Sequence, residues 1–352
     1  MSRPYTGNII RNSQAMAQWL AQTPREAALE PELPIIDAHH HLWDVKAAAN
    51  RYLLDDLLAD IGQGHNIRAT VYVEAHAMYR STGPQHMRPV GEVEFANGNA
   101  AMAASGVYGP CRVADAIVAH ADLMLGRAVE EVLHAQAAAA GGRLRGIRYA
   151  TPWDDSALQR FVTRPVPRHR LSDPVFREGF AQLEKFGLTF DAWVYHPQLT
   201  DLLSLARDFP RTQIVVDHVG TVLGVGPYEG RQADILDNWA LDLQALAGCD
   251  NISLKVGGLG MPLVGLGLHE RALPPSSEEL ADAWRPYVET CIEIFGAERC
   301  MFESNFPVDK QACGYSELWN AFKRLTADCS PTERSALFSG TAARVYRMSL
   351  AD

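Results

Sequence analysis

Leu33-Pro34-Ile35-Ile36-Asp37-Ala38-His39-His40-His41-Leu42-Trp43 joins an apolar run to three consecutive histidines. The run reads as a short buried strand. Side chains alternate along a strand, so Asp37, His39 and His41 are expected on one face and Ala38 and His40 on the other. Two imidazoles two residues apart at a strand end can converge on one metal ion or on one substrate carbonyl. Neutral imidazole is a common ligand for zinc and other borderline metals. Surface histidines also cluster by chance, in a solvated loop; the preceding strand and the Asp two residues earlier set this group apart.

Working outward, strand-like runs alternate with helical patterns. The runs cover 35–39, 69–75, 116–121, 144–150, 188–194, 213–219, 251–256 and 300–304. Eight strands separated by helices predict an α/β fold, a parallel sheet closed into a (β/α)8 TIM barrel. Asp173-Pro174 opens a helix that Gly187 stops, and Ser276 with Glu279 forms a capping box before a helix over 280–295. Ser330-Pro331-Thr332-Glu333 repeats the device before a helix over 335–346. Residues 1–33 read as an N-terminal arm with a short helix around 13–21, or as a disordered leader, and 34–352 as the barrel domain. Long connections after strands two (76–112) and seven (257–275) leave the C-terminal ends of their strands. Active sites of such barrels sit on that face, so these segments read as walls and lids, or else as mobile decoration.

With 352 residues, 47% hydrophobic and 21% charged, the chain can bury a large core. A net charge of -10 argues against general affinity for nucleic acid or an anionic membrane. Six cysteines without a Cys-x-x-Cys pair suit reduced thiols in a cytoplasmic protein. No segment approaches about 20 apolar residues, and Met1 to Gln22 has no apolar stretch of signal-peptide length. A homo-oligomer is compatible with the sequence, which does not decide it.

Ionisable groups recur at the strand ends: His39 and His41, Glu74 and His76, His120 and Asp122, Arg148 beside Tyr149, His196, Asp217-His218, Lys255, and Glu303-Ser304-Asn305. Chance seldom places one at all eight, although each alone has a structural reading. Asp217 suits a strand-end cap as well as an orienting role, and His196 suits a simple loop. Arg164, Arg168, His169 and Arg170 follow strand four. A local basic cluster on an acidic protein suggests a small anionic substrate, or only a solvated loop. The remaining histidines, His65, His86, His134, His169 and His269, are expected at the surface or in loops. Neither a nucleophile elbow nor a nucleotide-binding glycine motif is present.

The stretches Ile36–Trp43, Leu144-Arg145-Gly146-Ile147-Arg148, Val216-Asp217-His218-Val219-Gly220, Leu254-Lys255-Val256-Gly257-Gly258-Leu259 and Met301-Phe302-Glu303-Ser304-Asn305-Phe306-Pro307 resemble the amidohydrolase-related family. More narrowly, they are similar to its lactonase branch, which includes 2-pyrone-4,6-dicarboxylate lactonase and sugar-lactone hydrolases. The resemblance implies a hydrolase in which water attacks a lactone carbonyl, in the breakdown of aromatic or sugar acids. It implies that His39, His41 and His218 bind a divalent metal (zinc or manganese) or polarise the carbonyl, because some lactonases of this branch work without a metal. It also implies a strand-eight Asp that activates water.

Asn305 stands where that Asp is expected, and Asn cannot accept a proton at neutral pH. Glu303 lies two residues earlier, on the same face and about one layer deeper. The expectation is that Glu303 has taken over as base, its pKa raised by burial, with Asn305 positioning water. The alternative is a core Glu303 paired with Lys255 or Arg148. Arg148 is expected to hold a substrate carboxylate, with Tyr149, His120, His196 and Lys255 as further substrate-binding residues. Rival readings keep the barrel and change the chemistry, to metal-dependent decarboxylation, hydration or cyclic-amide hydrolysis, or keep only the binding of a small acid.

Overall fold

The computed structural model describes residues 5–349; the first four residues of the expected arm and the last three of the chain lie outside them. Strands Ile35–His40, Ile67–Val73, Arg112–Ala119, Leu144–Arg148, Thr189–Ala192, Ile214–Val216, Ile252–Val256 and Cys300–Phe302 form one parallel sheet in chain order. The ring closes just past its last strand. The Asn305 N–H donates to the His39 carbonyl at 2.9 Å, and the His41 N–H to the Phe306 carbonyl at 2.8 Å. This is the (β/α)8 barrel, and the seam of its closure sets Asn305 beside the histidine pair.

Strands five and six end earlier than their apolar runs suggest, at Ala192 and Val216. Beyond them the chain leaves the ladder, and His218–Gly220 forms a 3-10 turn. Helices Leu54–Ile61, Val90–Ala104, Val129–Ala139, Pro174–Phe180, Leu199–Asp208, Gln232–Ala247, Ser277–Phe295 and Tyr315–Leu325 clothe the ring. Asp173 accepts the Val175 N–H at 2.9 Å, and Ser276 and Glu279 cap one another's backbone, as their spacing predicts.

Three elements depart from expectation. The connection 76–112 contains the helix Val90–Ala104, which buries Val90, Val93, Ala96, Ala100 and Ala103. Its interior Asn97-Gly98-Asn99 reads as a loop, and burial of the alanine stripe overrides that propensity. The last helix is three pieces, Pro331–Ser335, a π-helical turn Ala336–Gly340 and Thr341–Val345. A hairpin of Trp43–Val45 and Asn50–Tyr52 follows strand one, its strands too short to show a period.

A cluster of Ile36, Ala38, Val71, Val73, Val118, Val215 and Met301 unites opposite strands across the interior, and Val345, Tyr346 and Met348 pack into it. The Tyr346 hydroxyl donates to Asp191 at 2.6 Å, so the C-terminal segment reaches a charged residue of strand five. The described part of the arm is packed: it carries a helix, Ser13–Leu20, and the Trp19 indole donates to the Arg271 carbonyl at 3.1 Å. Among the described residues no helix is long and apolar enough to cross a membrane.

Candidate active site

Strand one carries an irregularity that simple alternation misses. Asp37 pairs with Thr70 but His40 pairs with Tyr72, so one extra residue bulges between them. Asp37 is consequently not on the histidine face. It accepts the Tyr315 hydroxyl at 2.9 Å and the Ser304 N–H at 2.8 Å, ties that hold helix Tyr315–Leu325 and the end of strand eight. His40 lies against Thr70 at 2.8 Å. His39 and His41 do converge, with their Nε2 atoms 3.2 Å apart. The His41 Nδ1 lies 2.8 Å from the Val73 carbonyl, which can only accept, so this nitrogen carries the proton and Nε2 keeps a lone pair.

Glu303 completes the group. One carboxylate oxygen lies 2.7 Å from His218 Nδ1 and the other 3.0 Å from His39 Nδ1, all wholly or nearly buried. Burial pushes the Glu303 carboxyl up, but His218 and His39, by charge and by hydrogen bond, outweigh it and hold it at about 2. The expected upward shift is therefore reversed. For His218, burial opposes the charged ring, and Glu303 overcomes it and raises the pKa. Burial, reinforced by Lys255, holds His39 well below the ordinary value. His41 is likewise held well below by burial and by Arg148.

Lys255 and Arg148 frame these rings without pairing with Glu303. The Lys255 ammonium donates to Asp191 at 2.7 Å, and lies 3.1 Å from Asp217 and 3.2 Å from His39 Nδ1. Arg148 donates through Nε to Glu74 at 2.7 Å and through Nη2 to the Glu74 carbonyl, while Nη1 lies 3.4 Å from His39 Nε2 and 3.8 Å from Asp217. Asp217 thus faces cations of the site rather than capping a turn. Its burial is outweighed first by Lys255, which keeps its pKa low.

Two glycines make the approach of strands six, seven and eight possible. A side chain at Gly257 would meet Glu303 Cγ at 2.4 Å, and one at Gly258, whose φ is +67°, would meet His218 at 2.6 Å. His76, His218, Val219, Thr221 and Asn305 all hold left-handed backbone at the same mouth. Such conformations cost on the order of 1–3 kcal/mol each and collect at functional sites.

On the other side of the barrel, Glu74, His76 and His120 place ligand-type atoms within 4.8 Å of one another. His76 Nδ1 lies 3.0 Å from Glu74, and His120 Nδ1 donates to the Arg148 carbonyl at 3.3 Å. His76, His120 and Tyr149 open onto a cavity of about 800 Å³. A second cavity, of about 690 Å³, lies between the arm and the loops after strands four, six and seven.

The structure does not bring His196 into either group. Its Nδ1 accepts the Leu223 N–H at 3.2 Å, and burial lowers its pKa to about 4. Lys255 is fully buried beneath His39. Asn305 donates to Asp309 at 2.8 Å, and its Oδ1 has no partner among the described residues. Of the histidines expected at the surface, His65 is buried instead and bonds Lys323 at 3.0 Å. Sequence reasoning missed Asp191, Asp309 and Glu92. Asp191 sits mid-strand in an apolar run, and only its period with Ala192 and Phe190 marks it as inward. Asp309 lies one turn past Asn305, and burial raises its pKa to about 7. Glu92 opens the unexpected helix and accepts the Ala75 and Ala77 N–H groups at 2.7 and 3.0 Å, which shapes the loop carrying His76.

The donor set suits a divalent ion. The His39, His218 and Glu303 ligand atoms lie within 4.8 Å of one another. Glu303 Oε2 and the Lys255 ammonium both approach His39 Nδ1, at 3.0 and 3.2 Å, while its Nε2 lies 3.2 Å from that of His41, close enough for the two nitrogens to share a cation or a proton.

The amidohydrolase family model matches residues 36–348. A protein of Sinorhizobium fredii is 32% identical over 341 residues, spanning 90% of this chain and 99% of its own length. An L-fucono-1,5-lactonase of Burkholderia multivorans is 26% identical over 329 residues, 89% of this chain and 96% of that one. The crystal structure of a Burkholderia multivorans amidohydrolase with bound zinc superimposes with a TM-score of 0.68 at 25% identity, covering 90% of this chain and 99% of that one.

Proposed function

The chain belongs to the amidohydrolase family, and we propose that it hydrolyses a lactone or related cyclic ester of a carboxylated small molecule. The observation that carries this reading is Glu303 clamped between His218 and His39 at 2.7 and 3.0 Å, with Lys255 and Arg148 beside the rings. The resemblance to lactone-opening relatives narrows hydrolysis to a cyclic ester.

Glu303 Oε1 accepts the His218 N–H, and the two histidines hold the carboxyl at about 2, so the carboxylate is a poor first proton acceptor. His218 directs Nδ1–H at Glu303 and keeps Nε2 for a proton from water. Glu303 holds that tautomer and stabilises the imidazolium that forms. The base is then the Glu303–His218 pair as a unit, not Glu303 alone. Arg148 and Lys255 place positive charge beside His39, where a carbonyl oxygen gains negative charge in the attack. Asn305 presents a buried acceptor oxygen, anchored through its amide to Asp309.

In the alternative in which a zinc or manganese ion is bound, His39, His41 and His218 would hold it, and His218 would then be a ligand rather than the proton acceptor. When bound, such an ion supplies Lewis-acid polarisation of the carbonyl and lowers the pKa of coordinated water.

A pH-stat assay of the purified protein over a panel of carboxylated lactones tests the reading. Release of one proton per turnover with the ring-opened acid as product is expected. Evolution of carbon dioxide instead, or binding without turnover across the panel, would overturn it.

A further inference from the structure

The cavity beside strands two to four borders a group of three side chains whose ligand-type atoms lie within 4.8 Å of one another, yet its charge favours an anion over a metal. The one carboxylate of the Glu74–His76–His120 group is already neutralised by Arg148 at 2.7 Å. Around it the wall carries Arg88, Arg164 and Arg170 against one acid, Asp122. Arg170 has Asp173 at 3.3 Å, and Asp122 accepts the Met124 N–H at 3.0 Å. Arg88 and Arg164 form no ion pair among the described residues. Arg164 is nevertheless not loose, because its guanidinium lies 5.3 Å from the centre of the Tyr79 ring. A divalent cation would enter a wall of uncompensated positive charge; an anion would meet the guanidinium groups of Arg88 and Arg164 and the side chain of Tyr149.

Arg148, the residue the strand-end pattern nominates for a substrate carboxylate, is fully engaged. Glu74, its own carbonyl partner and His39 surround its donors, and it is buried. It does not line the cavity, although His120, which does, bonds its carbonyl.

We propose that this cavity seats the anionic group of the substrate, that Arg164 and Arg88 grip it, and that Arg148 orients the reacting end instead. The inference rests on the hydrolytic reading only for the reaction at that end. Its ligand class is a carboxylate or similar oxyanion on a small molecule.

The test compares a six-membered lactone bearing a carboxylate with the same lactone as its neutral carboxamide. Wild type, Arg164→Met, Arg88→Met and the double variant are assayed; both arginines are exposed, so the fold is not at stake. The double variant is expected to raise KM for the acid by at least about tenfold with kcat within about twofold, and to leave the amide unchanged, as loss of a charge-assisted contact away from the reacting atoms requires. Equal shifts for acid and amide, or none for either, would overturn the proposal. If neither compound is hydrolysed, the hydrolytic reading fails, and calorimetric titration of the acid still decides the matter. Weaker binding to the double variant supports the cavity, whereas equal binding, or none to wild type, sinks it.

Discussion

The two sides of the barrel mouth differ in how they treat charge. On the side of strands one, six, seven and eight, the charged groups nearest the histidines are buried and answered: Lys255 by Asp191 and Asp217, Glu303 by His218 and His39. On the side of strands two to four, a cavity of about 800 Å³ exposes Arg88 and Arg164, which form no ion pair among the described residues. Internal pairing fixes geometry and sets proton affinity, which suits the reacting end. Unanswered charge attracts a ligand, which suits recognition. On the proposed reading, chemistry and recognition are kept apart by saturating one set of charges and leaving the other open.

The sharpest way to break this contrast is at Glu303. Glu303→Gln keeps the shape but removes the charge that supports His218, and a loss of about 10²–10⁴ in kcat is expected from such general-base defects. Adding His218→Asn should cost little more, because residues that act as a unit are not additive. Full turnover by Glu303→Gln, measured in the same pH-stat assay with the fold checked by circular dichroism, would remove the pair from the mechanism.

Next comes Lys255. Lys255→Met leaves Asp191 and Asp217 buried without their cation, a change expected to destabilise by about 3–5 kcal/mol. Urea unfolding measures it. A loss within about 0.5 kcal/mol would mean that the buried side is less tightly balanced than its distances imply.

The smallest effect should come from Glu92, behind the open side. Burial, then the nearby Glu74 charge, raise its pKa from an ordinary 4.5 to about 8. A raised acid favours folding while protonated. Its contribution is fully present below the unfolded value and is lost as pH rises through about 8. Glu92→Gln stays neutral, so its Tm relative to wild type should climb between pH 5 and pH 9, with near equality at the acid end. A flat difference across that range would show that Glu92 does not titrate as its surroundings dictate.

Much of the barrel was legible because each strand is a local apolar run bounded by polar residues, and a local pattern needs no knowledge of distant partners. The helix Val90–Ala104 was not, since its Asn97-Gly98-Asn99 centre argues for a loop until the alanine stripe finds strand three to pack on. The histidine pair was legible, but the side Asp37 takes was not, because a bulge is set by pairing with strand two. Asp191 escaped notice for a related reason. A single acid in a buried strand gains meaning only once Lys255, from a different strand, is 2.7 Å away.

The sequence by itself determined the number and order of the strands, and that each strand end carries a group capable of chemistry. Those are properties of neighbours along the chain. The tertiary structure alone decided which charge answers which. Glu303 meets His218 across 85 residues and His39 across the barrel seam, while Arg148 is claimed by Glu74, 74 residues away. Coulomb energy and hydrogen bonding fall off over a few ångströms of space, not of sequence. The proposed acid–base partners, and the arginines without an ion pair among the described residues, could therefore be picked out only after the chain had closed into its ring.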